Sequence, residues 1–417
     1  MPGIMPKLHA DASLRWAAIA LGASLPISVA LDNVLLVVIL LAWLLAGHWR
    51  SCLLRWRGQP VAWAALLLLA LLLVGCAWGP GSFDDRLHFL RKNSHLLLLP
   101  ILLACPWRAR DREYAVAAFA AAMVLTLVIS YGYWLHLIPL AATNNQSPDN
   151  PVVFKLHITH GILMAYCAYL AAIAALRQDG WRLRLGLWAF TALATFNVLF
   201  MVQGRTGYLV LGGLAAWLCF ERLRWRGLGV AAAAGVLLLA SAYALHLPMV
   251  DRLLAMSVDY QQWRVGTGGE TSIGARIDLY RTSLELIAAH PLLGVGTGGF
   301  TNAYAAATTT HGPTVWNNPH NQYLLTTVQL GVVGLCALAA LFVAVWRSAA
   351  KLEKAPRLAA QGLLLTIGLG CLLNSLLIDH TEGLFFSWLA GMLLGPSERE
   401  GDGATIATRQ STFAPPP

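Results

Sequence analysis

"LLVVILLAWLLAGHWRSCLLRWR", residues 35–57, contains the whole fold in miniature. An apolar run centred near residue 39 stops at a short segment carrying Arg50, Arg55 and Arg57, and another apolar run begins just beyond. Apolar runs of about 20 residues suit α-helices that cross roughly 30 Å of hydrocarbon. In hydrocarbon every backbone N–H and C=O must be satisfied within the spanning structure. That favours helices over isolated strands. Arginines between two spans mark the loop as cytoplasmic.

The same alternation continues in both directions. Of the 417 residues, 58% are hydrophobic and 12% charged, and the mean hydropathy is +0.61. Soluble domains carry about 25% charged residues, so these values predict an integral membrane protein. We place about twelve spans, centred near residues 22, 39, 69, 98, 124, 166, 193, 214, 237, 333, 368 and 388. The first run is followed at once by the second with no small-residue cleavage site, which reads as a retained helix. The fourth, "HLLLLPILLAC" (residues 95–105), is short and holds Pro100. It reads as a broken helix or one that starts near Leu87.

The basic residues orient these spans. With the N-terminus inside, the cytoplasmic segments carry Lys7 and Arg15; Arg50, Arg55 and Arg57; Arg108, Arg110 and Arg112; Arg177, Arg182 and Arg184; Arg222, Arg224 and Arg226; Arg347, Lys351, Lys354 and Arg357; and Arg399 and Arg409. Every inner loop is basic, as the positive-inside rule requires, and both termini fall inside. The net charge of +9 is therefore a topology signal spread over short clusters, and nothing in it points to nucleic acid. The seven cysteines lie mostly in apolar runs without a CxxC pair, as small buried hydrophobes do.

Nine basic residues fall on the outer side against this bias: Arg86, Arg91, Lys92, Lys155, Arg205, Arg252, Arg264, Arg276 and Arg281. Ordinary solvated charge accounts for some of them, and the rest are candidates for binding an anion there. The longest outer segment is about residues 247–320, within a single polytopic domain of residues 1–396; residues 397–417 read as a disordered cytoplasmic tail. Within the outer segment, "SIGARIDLYRTSLELIAAH" (residues 272–290) places Ile273, Ile277, Leu284 and Ile287 at helical spacing. We expect an amphipathic helix on the membrane surface or over a cavity, with Arg276, Asp278 and Arg281 on its polar side. "GVGTGGF" follows as a flexible turn.

Three outer features carry chemistry. In "QGRTGYL" (residues 203–209) the turn is so short that Arg205 must sit at the membrane boundary, and Gly204 and Gly207 would let backbone approach a ligand. An interfacial arginine reaching for water is the plainer alternative. Arg276 and Arg281 could grip phosphate oxygens, or pair with Asp278 and Glu285. In "NNPHNQYLL" (residues 317–325) His320 follows Pro319 at the start of a span. The positive end of a helix disfavours the imidazolium, and a neutral imidazole can act as a general base. A simple capping residue is the alternative. His157 and His160 have i, i+3 spacing but no partner in a metal-ligand pattern. Asp379, His380 and Glu382 either orient an acceptor or form a polar turn. There is no outer DxD pair and no P-loop, which argues against a metal-held diphosphate and nucleotide-driven transport.

These residues resemble the O-antigen ligase (WaaL) family within the O-antigen ligase/polymerase superfamily. "RTGYL" from Arg205 is similar to its R-x3-L pattern. "HNQYLLTTVQLGVVG" (residues 320–334) is similar to its histidine motif: H-N, nine residues, then G-x-x-G. Leu335 stands where a stricter form has threonine. "RIDLYRTSLELIAAHPLLGVGTGGF" resembles the large outer loop, and the motif likeness runs over about residues 185–345.

The resemblance implies an all-α polytopic enzyme with GT-C-type glycosyltransferase architecture and no metal or other cofactor. It would move O-antigen polysaccharide from undecaprenyl pyrophosphate to a sugar hydroxyl of the lipid A core. The reaction would occur at the periplasmic face of the inner membrane, among membrane lipids. His320 would be the base. Arg205 and Arg276 would bind the pyrophosphate, with Arg281 as helper and Asn321 in support; Lys92 and Arg91 join from charge placement alone. An O-antigen polymerase or a protein O-oligosaccharyltransferase would share the donor. The latter resembles a longer chain with an extra soluble region. A lipid-linked glycan transporter would instead need paired charges inside the spans, which hold almost none.

Overall fold

A computed structural model describes residues 4–105, 107–140, 146–147, 149–266, 271–308 and 316–398. Helices form nearly all of its regular structure. They are α1 (Ile4–Ser24), α2 (Val29–Leu45), α3 (Cys52–Trp56), α4 (Pro60–Gly75), α5 (Phe83–Asn93), α6 (Leu98–Leu103), α7 (Ala109–Trp134), α8 (His157–Ala175), α9 (Trp181–Phe196), α10 (Arg205–Leu223), α11 (Trp225–Ala244), α12 (Pro248–Arg264), α13 (Ser272–Ala289), α14 (Phe300–Ala307), α15 (Gln322–Ala349), α16 (Lys354–Gly370) and α17 (His380–Leu394). Two-residue strands β1 (Trp107–Arg108) and β2 (Ser397–Glu398) pair in parallel. Of the tail expected from residue 397, only Ser397 and Glu398 are among the described residues; residues 399–417 lie outside them.

Helix is found at each of the twelve expected spans. Among the described residues five are both long and apolar enough to cross a membrane alone: Arg110–Trp134, His157–Ala175, Trp181–Met201, Trp225–Ala244 and Gln322–Ala349. A sixth pair, Val29–Leu45 with His48–Trp56, bends by 69° at the break. The remaining expected spans are shorter or less apolar helices. The fourth is broken as its proline predicted: a 3₁₀ turn, Ser94–Leu97, leads into the six residues of α6. This is an all-α, multi-pass membrane protein.

Local chemistry sets the helix boundaries. Ser28 caps α2, and Ser82 with Asp85 makes a capping box on α5. Pro60 and Pro248 open α4 and α12, where a missing N–H costs nothing. At the basic end of the bundle, arginines donate to carbonyls that helix ends leave orphaned. Arg55 reaches Ala104 at 2.8 Å, Arg222 reaches Leu176 at 3.3 Å, and Arg112 reaches Gly395. These cations sit where the helix dipole is negative, so the loop charges stabilise the bundle besides orienting it.

The core runs through α8, α16 and α17, and nearly all of α17 is buried. Helices α2 and α11 stay peripheral, with Val34, Leu41, Val236 and Leu237 exposed. A helix that is apolar all round and exposed needs lipid around it.

At the opposite end one device joins the outer segment to the bundle. Helix α15 kinks at Gly331 (φ 62°), and the segment after α13 fills the break. The amides of Val295 and Gly296 donate to the carbonyls of Val328 and Gln329, and Pro291 accepts from Val332. A Cβ on Gly331 would lie 2.1 Å from the Leu292 carbonyl oxygen. "GVGTGGF" is thus a docked segment, not the flexible turn expected. Its glycines supply the positive φ that the docking needs.

Candidate functional site

Three helices begin at one cavity. Their first residues are His157 of α8, Arg205 of α10 and Ser272 of α13, and all three line a space of about 410 Å³ together with Arg252 of α12 and Arg276 of α13. Helix N-termini direct unpaired N–H groups and positive dipole ends at whatever they face. No carboxylate is among the lining residues, which otherwise include Asn150, Gln203, Thr206 and Tyr208. The arrangement concentrates positive charge and suits an anion.

Glycines bring two of these helices together. A Cβ on Gly207 would lie 3.2 Å from Gly161 Cα, and one on Gly204 would lie 3.0 Å from the His157 carbonyl oxygen. Gly204 and Gly207 thus admit helix α8; the sequence had suggested that they admit a ligand. Small residues at such crossings let membrane helices approach closely. Behind the contact Asn374 donates to Thr206 Oγ1 at 2.7 Å.

Arg276 links the cavity to His320. Burial above all pulls its guanidinium below the usual arginine range, against an opposing effect of Tyr280 and with a lesser push in the same direction from the charge of Arg205. His320 does not line the cavity, but Arg276 lies close enough for its charge to act on the imidazole. Burial first, and Arg276 second, hold His320 below the ordinary histidine value. The direction agrees with the sequence expectation. The causes are desolvation and a neighbouring cation.

The backbone of His320 adopts φ 50°. In a non-glycine residue this left-handed conformation costs roughly 1–2 kcal/mol. Its surroundings hold it there. The His320 amide donates to Asn318 Oδ1 at 2.9 Å, and Ser375 donates to the same oxygen at 3.3 Å. The Tyr280 hydroxyl lies 3.0 Å from the Leu372 carbonyl oxygen and 3.4 Å from that of His320. The Trp316 ring meets the imidazole edge-on, centroids 5.7 Å apart. Helix α15 is capped by Asn321, whose Oδ1 accepts from the Leu324 amide at 3.0 Å while its Nδ2 donates to Leu372 at 3.0 Å. Asn321 does the capping, so the His320 side chain is not needed for it.

The remaining expected residues are distributed unequally. Arg281 is 75% exposed and donates to Glu285 at 3.2 Å, away from the cavity. Asp278 accepts from Trp263 at 2.9 Å. The buried stripe of α13 is Leu279, Thr282 and Ser283 with Gly274, whereas Leu284 of the expected apolar face is 58% exposed. Arg91 and Lys92 close α5 outside the cavity, and Lys92 acts on Asp379, whose carboxyl burial pushes up. His160 is buried and bonds Asn197 at 3.0 Å, so it does not converge with His157.

Other outer cations turn out to be structural. Arg86 donates to the Gly81 and Cys76 carbonyls beyond α4. Lys155 donates to Thr381 at 3.1 Å and lies 4.0 Å from buried Asp32. Thr159 donates to Glu382, and His380 stands 3.5 Å from Asp32, so the start of α17 is a polar knot tying α2 to α8. The sequence offered Arg252 only as one of nine outer cations, and weighed His157 only as a metal ligand. Their only signal was position, at a span start and on the wrong side for the topological bias.

Residues 190–339 match the family model described as O-antigen ligase. The match takes in Arg205, Arg276 and His320, and nearly the whole stretch over which the motifs carried the resemblance. About a third of this polytopic membrane protein is thus similar to the O-antigen ligase family. No curated protein matches the chain.

Proposed function

We propose that the protein is an O-antigen ligase of the bacterial inner membrane. It takes polysaccharide from undecaprenyl pyrophosphate and joins it to a sugar hydroxyl of the lipid A core on the periplasmic side. The observation that carries this reading is the cavity itself: three helix N-termini and three arginines with no carboxylate, next to a histidine held below its ordinary pKa.

In the proposed reaction the acceptor hydroxyl gives its proton to neutral His320 as its oxygen attacks the anomeric carbon of the donor. The bond from that carbon to the pyrophosphate oxygen breaks, and the pyrophosphate leaves with the electron pair. Arg205 and Arg276 stabilise the charge that grows on it. Charge neutralisation by arginines leaves no step that requires a divalent cation, so transfer should survive EDTA. Arg281 is assigned no phosphate. His320 lies beside Arg276 and away from the cavity walls, which suits separate entry of acceptor and donor.

The test uses purified protein, lipid-linked polysaccharide and lipid A core, with the joined product followed on a gel. Joining by wild type and not by His320→Ala supports the reading. Lengthening of the glycan on its own lipid carrier would identify a polymerase instead. Equal joining by His320→Ala removes the base from His320.

A further inference from the structure

Beside Arg205 stands a side chain to which neither the sequence motifs nor the proposed chemistry gives a task. His157 opens α8, lines the same cavity as Arg205 and Arg276, and lies against Gly204, the residue before Arg205. A Cβ on Gly204 would come within 3.9 Å of its ring Cδ2. Its neighbours with similar chemistry are committed elsewhere. Lys155 points to Thr381 and Asp32, and His160 is bonded to Asn197 in the core. The His157 ring, by contrast, is tied by no hydrogen bond to any described residue. It is half-buried at the end of a helix with free amides and faces a cavity without acids. Arg276 acts on His157 as well as on His320, so an anion gripped by Arg276 lies within electrostatic range of both rings.

We infer that His157 is a third ligand of the donor, giving an imidazole N–H to a phosphate oxygen next to Arg205. A neutral imidazole always carries one N–H donor, so this contact needs no proton transfer. The proton released by the acceptor still goes to His320, and no bond is made or broken at His157. The inference rests on the reading of the cavity as a pyrophosphate site. It adds that two histidines flank Arg276 with separate duties: His320 toward the acceptor, His157 toward the leaving diphosphate. The glycine at 204 has a reason in this arrangement, because a side chain there would press on the His157 carbonyl oxygen and hold the start of α8 away from Arg205.

The experiment measures binding of undecaprenyl pyrophosphate without glycan, and of undecaprenyl monophosphate, to the full chain in nanodiscs. His157→Leu removes the donor, whereas His157→Gln keeps an N–H of similar reach; Arg276→Ala serves as the reference for the cavity. Wild type should prefer the pyrophosphate. His157→Leu should weaken that binding about tenfold and His157→Gln should recover most of it, as loss and return of one charge-assisted hydrogen bond predict. In turnover, KM for the donor should rise with kcat largely kept. Wild-type binding by His157→Leu, with Arg276→Ala impaired, would overturn the inference and leave the cavity reading standing. Equal weakening by the Leu and Gln variants would also overturn it, by showing that only the ring's shape matters. If Arg276→Ala binds the pyrophosphate like wild type, the cavity reading fails and the inference fails with it.

Discussion

Around Arg205 the helix starts open on a cavity, whereas around His320 the backbone and its flanking side chains are bonded to one another. The cavity holds three helix N-termini, three arginines, of which Arg252 already donates to Val202, Tyr208 and Asp149, and a histidine ring with no hydrogen bond to any described residue. The His320 corner fixes a strained backbone through Asn318, Ser375 and Tyr280 and packs the ring on Trp316. Under the proposed function, the difference follows from what each would do. A multiply charged diphosphate supplies its own acceptors and needs only donors left free. A base must present one nitrogen at one angle, so its supports are built in beforehand. Arg276 belongs to both regions. Tyr280, one turn further along α13, ties the same helix to the His320 loop.

That comparison can be broken at several points. The largest effect is expected from His320→Ala, which should lower the transfer rate by about 10²–10⁴ while donor binding persists. Loss of donor binding in that variant would merge the two regions into one. Arg276→Ala should cost about 10²–10³ in rate and also weaken the donor. A subtler variant, Arg276→Gln, sharpens the link through pH. Burial and the Arg276 charge disfavour the imidazolium, so the neutral base persists to lower pH than in a free histidine. With that charge removed, the His320 pKa rises and the acid limb of the rate profile moves to higher pH. An unmoved limb means that another group titrates.

Gly207→Val tests the scaffold beneath the cavity. Its side chain would meet α8 near Gly161, and overpacking of this kind costs about 1–3 kcal/mol. A lower melting temperature together with weaker pyrophosphate binding is expected; an unchanged melt would remove the glycine contact from the account. Tyr280→Phe should reduce kcat only about three- to tenfold, since one neutral hydrogen bond holding His320 is lost. The smallest effect belongs to Arg281→Ala, within about twofold, because exposed ion pairs contribute little. A tenfold loss there would return Arg281 to the donor site.

The sequence by itself determined where helices run. Apolar length and loop charge are properties of the chain read locally, and helix stands at each of the twelve spans they marked. It could not say where each helix sits. Helices α8 and α11 have mean hydropathies of 1.6 and 1.8, yet 78% of the first and 11% of the second are buried within the protein. Lipid and protein interior are equally apolar, so hydrophobicity cannot separate them. The same ambiguity misled the reading of α13, whose Leu284 faces outward while small and polar Thr282 and Ser283 pack inward.

Motif spacing put forward Arg205 and His320, and the helical pattern of the outer segment put forward Arg276. Only the packed structure could turn Arg281 away, pass the cap to Asn321, spend Lys155 on Asp32, and bring His157 and Arg252 to the cavity. Those outcomes depend on contacts between segments distant in sequence, such as Gly161 against Gly207 and the docked loop at Gly331. No local pattern in the chain records which two faces will meet.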